Sequence, residues 1–180
     1  MTGSTYLDFE KAHTVAMNLI RTGENPSFGL LLVCGVNLGL RVSDLLSLSF
    51  TELKNDFFTI EEGKTGKTRT LQVNKRIKEA LQYFEGSPEY MLEGYAFTSQ
   101  KGTRYSSQHV NRLIKKYFKG SNISSHSLRK TFGRRIWDLN KQSEGSLILL
   151  SQIFNHRSIS DTRRYLGIKD EEIKDVYLNM

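Results

Sequence analysis

Six side chains in four short segments have the types and spacing of a site that grips an anion and moves protons beside it: Arg41, Lys64, His126, Arg129, His156 and Tyr165. Arginine carries a planar, permanently charged fork of donors that matches phosphate geometry. Histidine titrates near neutrality, and a phenol or an ammonium can serve as nucleophile or acid. Taken singly, each also has a plain explanation. Arg41, in Gly39-Leu40-Arg41-Val42-Ser43-Asp44, reads as a surface arginine at a helix start, although helix N-termini favour acids over cations. Lys64, in Gly63-Lys64-Thr65-Gly66, reads as a solvated turn lysine or as an ammonium carried on a flexible tip, with Lys67 as second choice. His126 and Arg129, in His126-Ser127-Leu128-Arg129-Lys130-Thr131-Phe132, are three apart and share a helical face. Tyr165 is one of eight tyrosines, most of which should pack. What sets it apart is a basic segment and His156, nine residues upstream.

Positioning these groups requires a frame, and the pattern predicts a mainly α fold with one small antiparallel β-hairpin. At 180 residues the chain can bury a core of its own without disulfides or metal. With only two prolines, Pro26 and Pro88, helices can run uninterrupted. A first helix is expected from a cap at Asp8 to Ile20. Asn25-Pro26 opens a second, apolar helix to about Val36. Asn37-Leu38-Gly39 breaks it, and a short helix over Ser43–Leu48 follows. Phe57–Ile60 and Thr68–Val73 read as strands flanking the charged, Gly-containing turn that holds Lys64. Asn74 caps a helix to about Phe84, and Tyr95–Phe97 reads as a short extended piece. Further helices are expected from Ser106 or Ser107 to Phe118, from Ser125 or Ser127 to Asn140, over Leu147–Phe154, over Ser160–Leu166 and over Asp170–Leu178.

The formal charge is +7, from 26 Lys and Arg against 19 Asp and Glu. A balance this basic points to a polyanionic partner, with a solubility charge as the alternative. Cys34 is the single cysteine and lies in an apolar run, so the chain can form no internal disulfide or Cys-rich metal site. No apolar run approaches the roughly 20 residues of a membrane span, and Met1–Thr5 lacks the pattern of a secretory leader. There is no G-x-x-x-x-G-K-[ST] phosphate loop, no evident carboxylate cluster of the two-metal kind, and no paired aromatic motif of the RNA-binding kind.

The four segments, in this order, resemble the catalytic domain of the tyrosine recombinase or phage integrase family. The likeness rests on Arg41 in a "GLR(I/V)S(E/D)LL" stretch, on Lys64 in a hairpin turn, on His126 and Arg129 in an "HxLR(H/K)TF" box, and on His156 nine residues before Tyr165. Asp44 stands where many members have Glu, and Asn155 where many have Gly; Asn also tolerates a left-handed helix end.

The resemblance implies a site-specific DNA recombinase or integrase. In it Tyr165 would become joined to a 3′-phosphate, Arg41 and Arg129 would clamp the non-bridging oxygens, and their field would favour phenolate. His126 would share the tyrosine proton, His156 would donate to the phosphate, and Lys64 would protonate the departing 5′ oxygen. No cofactor, metal or ATP is expected. Duplex DNA is the expected partner, with Arg104, Lys115, Lys116, Lys130, Arg134, Arg135, Arg157, Arg163 and Arg164 as candidate contacts. For Lys115, Arg134 and Arg135 a plain solvated helix face is an equal alternative. The resemblance further implies a homotetramer on two duplexes, with a C-terminal tail bearing Ile173, Val176 and Tyr177 docked on a neighbour, and a cytoplasmic, nucleoid-associated protein of a bacterium or phage. Residues 1–180 are expected to form one catalytic domain without the family's N-terminal DNA-clamping domain. Alternatives are DNA relaxation in the manner of a type IB topoisomerase, a non-catalytic DNA-binding regulator on the same fold, and a basic RNA-binding module.

Overall fold

A computed structural model of the chain describes residues 3–91, 94–120, 122–168 and 177–179. Helix α1 (Phe9–Arg21) starts where the Asp8 carboxylate accepts the Lys11 amide at 2.7 Å. Helix α2 (Pro26–Leu38) is capped by Asn25 and has proline in its first turn. It is apolar on every side: Phe28, Leu30, Leu31, Leu32, Val33 and Cys34 are wholly buried. Each such leucine contributes about 1.5–3 kcal/mol by leaving water, and α2 forms the axis of the core.

The expected short helix over Ser43–Leu48 forms as α3 (Val42–Leu46), and a further short helix outside the expected elements, α4 (Phe50–Lys54), follows it. Ser49 and Glu52 divide them with a capping box, in which each side chain bonds the other residue's amide. The hairpin β1 (Phe57–Glu61) and β2 (Thr68–Gln72) pairs Phe57 with Gln72 and Glu61 with Thr68. Phe58, Ile60 and Leu71 point into the core, as period-two alternation requires. Helix α5 (Lys75–Gln82) follows its Asn74 cap, and α6 (Pro88–Met91) is a single turn. The extended piece forms only isolated bridges, Ser49 to Tyr95 and Thr98 to Arg104.

Helix α7 (Ser107–Tyr117) is capped by Ser106, and α8 (Ser125–Leu139) by Ser124, one residue before the expected start. Helix α9 (Glu144–Phe154) begins three residues earlier than apolar spacing alone indicates, because Ser143 caps it. Asn155 ends it in the left-handed conformation at φ 52°, as expected of Asn there. Ser158 caps α10 (Ile159–Leu166). Of the expected C-terminal helix, Ile173 and Val176 lie outside the described residues, while Tyr177 is exposed.

The apolar side chains form two clusters. One gathers α1–α5, the hairpin and α7 around α2. The smaller joins Trp137 of α8 to Leu147, Leu150, Phe154, Leu166 and Ile168. Helix α8 belongs to both: Leu128 packs so closely on α2 that a Cβ at Gly35 would lie 2.7 Å from it. No described helix is long and apolar enough to cross a membrane.

Candidate active site

All six nominated residues line one cleft of about 860 Å³, along the seam between the two clusters. The α2–α3 corner supplies Arg41 and the β1–β2 turn supplies Lys64. His126 and Arg129 come from α8, which lies between. His156 follows α9, and Tyr165 lies on α10.

The corner that delivers Arg41 depends on Gly39. It caps α2 at φ 62°, and a Cβ there would stand 2.3 Å from the Phe132 ring. Only glycine meets both demands. Arg41 then donates to Glu62 Oε2 at 2.6 Å and reaches the Phe154 carbonyl at 3.4 Å. Arg129, 5% exposed, donates to the Gly39 carbonyl at 2.7 Å and the Phe154 carbonyl at 3.0 Å, with its guanidinium over the Phe154 ring. Both guanidiniums therefore meet at one oxygen. Arg69 donates to the neighbouring Ile153 carbonyl at 2.6 Å. The last carbonyls of a helix are unpaired and carry partial negative charge, so the end of α9 holds three like charges together. Burial lowers the Arg129 pKa to about 10, which leaves it charged at neutral pH.

Two buried carboxylates complete this arrangement, and neither was among the nominated residues. Asp44 accepts the Gly63 amide at 3.2 Å, fixing the base of the lysine turn. Glu62, 2% exposed, joins Arg41 to Arg69. Burial by itself would raise its carboxyl pKa. The hydrogen bond and charge of Arg41, with the charges of Arg69 and Arg129, outweigh burial and keep it ionised. The sequence held a signal for it: Glu62, one residue past β1, continues the alternation of Phe58 and Ile60, which places a charge on the buried side of the hairpin.

Of the two turn lysines, Lys67 is tied to the end of α9 through Asn155 Oδ1 at 2.7 Å, whereas Lys64 is exposed on the cleft wall. His156 Nδ1 lies 2.9 Å from the hydroxyl of wholly buried Thr162, a partner not foreseen. Its ring meets Tyr165 edge-on, with centroids 5.2 Å apart. Burial lowers its pKa, reinforced by Arg129 and Arg41 and opposed by Asp161. His126 keeps an exposed edge; desolvation of the rest of its ring, then Lys130 and Arg129, lower its pKa. Both imidazoles are thus neutral at pH 7 and able to take a proton.

The Tyr165 ring packs edge-on against Phe154, and the Lys130 ammonium lies 5.0 Å from the ring centroid. Its phenol corrects one expectation. Arg129 and Arg41 do pull its pKa down, but burial pushes harder, and in the free cleft the net shift is upward. Phenolate therefore has to form together with proton removal.

The remaining nominated cations divide by position. Arg157 is exposed on the cleft wall. Arg163 and Arg164 lie on α10, with Arg164 3.9 Å from Asp161. Arg104 is exposed over the Tyr95 ring, and Lys115 is exposed. Lys116 reaches Glu24 and the Tyr117 hydroxyl. Arg135 pairs with Glu10 at 3.0 Å over the Phe9 ring, and Arg134 is buried against Tyr6. Arg134 is therefore not part of a solvated helix face, and the protein itself engages Lys116, Arg134 and Arg135. Among the described residues no group of three or more His, Cys, Asp or Glu could hold a metal ion.

This fold is that of the tyrosine recombinase catalytic domains. It superposes on the crystal structure of XerA recombinase with a TM-score of 0.71 and 20% identity, over 98% of this chain and 65% of that one. With a lambda integrase dimer bound to a COC′ core site, the TM-score is 0.65 at 17% identity, over 90% and 59%. The phage integrase family model matches residues 27–172, and the chain belongs to that family. Among its relatives, the probable integrase/recombinase YoeC of Bacillus subtilis is 28% identical over 173 residues, 93% of this chain and 91% of that protein. The tyrosine recombinase XerC of Caldanaerobacter subterraneus is 28% identical over 148 residues, 78% of this chain but 41% of that protein. The chain thus spans nearly all of the first relative and less than half of the second.

Proposed function

We propose that this protein is a site-specific recombinase that cuts and rejoins duplex DNA through a phosphotyrosine, with residues 1–180 as its catalytic domain. The observation that carries the reading is the meeting of Arg41 and Arg129 at one oxygen, in a cleft whose wall includes the Tyr165 phenol. Two permanent forks aimed at one point suit the two non-bridging oxygens of a phosphodiester, whose charge grows as a nucleophile attacks.

In this reading Tyr165 Oη forms a bond to phosphorus and the bond to the 5′ oxygen breaks. His126 takes the phenol proton, and Lys64 gives a proton to the departing oxygen. His156 donates to the phosphate. The phosphotyrosine conserves the energy of the broken ester, so attack by a 5′ hydroxyl reseals DNA without ATP. The names of the relatives, integrases and recombinases, support this use. Four copies would act on two duplexes, joined through their C-terminal tails, in the cytoplasm where bacterial DNA lies. Arg104, Lys115, Lys130, Arg157, Arg163 and Arg164 are the cations best placed to follow the backbone.

The test uses nicked duplexes that trap the cut state, resolved on a denaturing gel. Wild-type protein should give a covalent protein–DNA band that Tyr165→Phe abolishes while DNA binding persists. A band that survives in the mutant would exclude Tyr165. Relaxation of supercoiled DNA without exchange between two sites would place the protein with the topoisomerases instead.

A further inference from the structure

Glu62 does more than neutralise an arginine. Its backbone carbonyl accepts the Thr65 and Gly66 amides at 3.1 and 2.8 Å, and its own amide donates to the Lys67 carbonyl at 2.9 Å. Its carboxylate accepts the Thr65 hydroxyl at 3.2 Å on the oxygen that also takes Arg41. The other oxygen takes Arg69 at 3.2 Å, and Arg69 is anchored on the Leu38 and Ile153 carbonyls. The turn bearing Lys64 is therefore folded around one buried residue, which also holds the first arginine and, through Arg69, both helix ends that border the cleft.

We infer that Glu62 is a positioning residue that sets the Lys64 ammonium over the phosphate held by Arg41, an inference resting on the recombinase reading above. The physical argument lies in the contrast between the two side chains. Lys64 is exposed and carries a flexible four-carbon stem, so the backbone beneath it must supply what precision it has. That backbone is held by Glu62 from the inside and by the Asp44 bond to Gly63 at its base. An apolar residue at position 62 would fill the same inward-facing position at the end of β1 but would leave Arg41, Arg69 and Thr65 without their shared acceptor.

The test separates proton delivery from phosphate charge. DNA in which sulfur replaces the bridging 5′ oxygen loses a thiolate, which departs without a proton; Tyr165 Oη still bonds phosphorus as the phosphorus–sulfur bond breaks. On ordinary DNA, Glu62→Gln should slow covalent complex formation by about 10- to 100-fold, the scale of a displaced general acid. Sulfur should restore most of that rate, as it should for Lys64→Ala. Arg41→Ala, whose defect lies in phosphate charge, should stay slow on both substrates. Thr65→Val removes one hydroxyl from a half-buried turn position and should show a smaller loss, also restored by sulfur.

The inference is overturned if Glu62→Gln is equally slow on both substrates, or as fast as wild type on ordinary DNA. Should thermal melting show that Glu62→Gln does not fold, Thr65→Val decides, and a wild-type rate on ordinary DNA counts against the inference. Failure of wild-type protein to cleave either substrate overturns the recombinase reading, and this inference falls with it.

Discussion

The Nδ1 atom of His156 lies 2.9 Å from the hydroxyl of Thr162, which is wholly buried on the inner side of α10. With Nδ1 held there, Nε2 is the ring nitrogen left for a substrate oxygen. Thr162→Val keeps the shape and removes the partner. A buried polar atom left unpaired costs about 1–3 kcal/mol, and a misplacement worth about 1.4 kcal/mol in the transition state slows a step about tenfold. Thermal melting should therefore show a modestly less stable protein, and a time course of covalent complex formation a rate down by about an order of magnitude. An unchanged rate would show that the hydroxyl does not orient the ring for chemistry.

Three of the four histidines are held below the ordinary value of 6.5, each chiefly by burial: His13, His126 and His156. The sign follows from linkage. Above pH 6.5 the groups are neutral in both states and stability is complete. As pH falls, the unfolded chain takes up protons first, so stability is lost from 6.5 down through the lowered folded values. The melting temperature should therefore drop between about pH 7 and pH 5. His13→Gln and His156→Gln should flatten the drop most, since solvent screens the exposed edge of His126. A melting temperature independent of pH in this range would contradict the assignment.

What the sequence made legible was mostly local. Asp8, Asn25, Asn74 and Ser106 mark helix starts because a short side-chain oxygen must meet an amide two or three residues on. The hairpin shows in its alternation, and the six cleft residues show as a set through the family resemblance of the four segments that carry them. Helix α4 went unread although Ser49 and Glu52 form a capping box at its start, because five residues are too few to show a helical apolar period. Glu62 announced itself only as a charge in phase with Phe58 and Ile60; its partners lie 21 residues before it and 7 after it, and only folding brings them together. The end of α9 as the place where Arg41, Arg69 and Arg129 gather could not be read from spacing, because their acceptors are backbone carbonyls common to every residue. Nor could the upward shift of Tyr165, a contest between burial and two arginines that depends on distances.

Gly39→Ala should damage stability and chemistry together. Alanine at φ 62° is strained by about 1 kcal/mol, and its methyl would stand 2.3 Å from the Phe132 ring. Relieving that overlap adds about 1–3 kcal/mol. Because the Gly39 carbonyl anchors Arg129, any shift of the corner moves both arginines. Denaturant titration should show a loss of about 2–4 kcal/mol, with cleavage slowed even where the variant is fully folded. A loss of stability alone, with the folded fraction cleaving at the wild-type rate, would mean that the Arg129 anchor is dispensable.

Charge on the surface should matter by position rather than by number. If about six phosphates are neutralised, the logarithm of affinity should fall with the logarithm of salt at a slope near −5. Arg157 is exposed on the cleft wall, so Arg157→Ala should weaken binding to duplexes of any sequence and make the slope shallower by about 1. Lys116 lies on α7 with its ammonium 3.4 Å from Glu24 and 3.1 Å from the Tyr117 hydroxyl. Lys116→Ala removes the same formal charge, yet should leave the slope unchanged because Glu24 already occupies that ammonium. Anisotropy titrations over a series of salt concentrations distinguish the two. Equal effects from both substitutions would mean that DNA responds to the net +7 rather than to a track of cations beside the cleft.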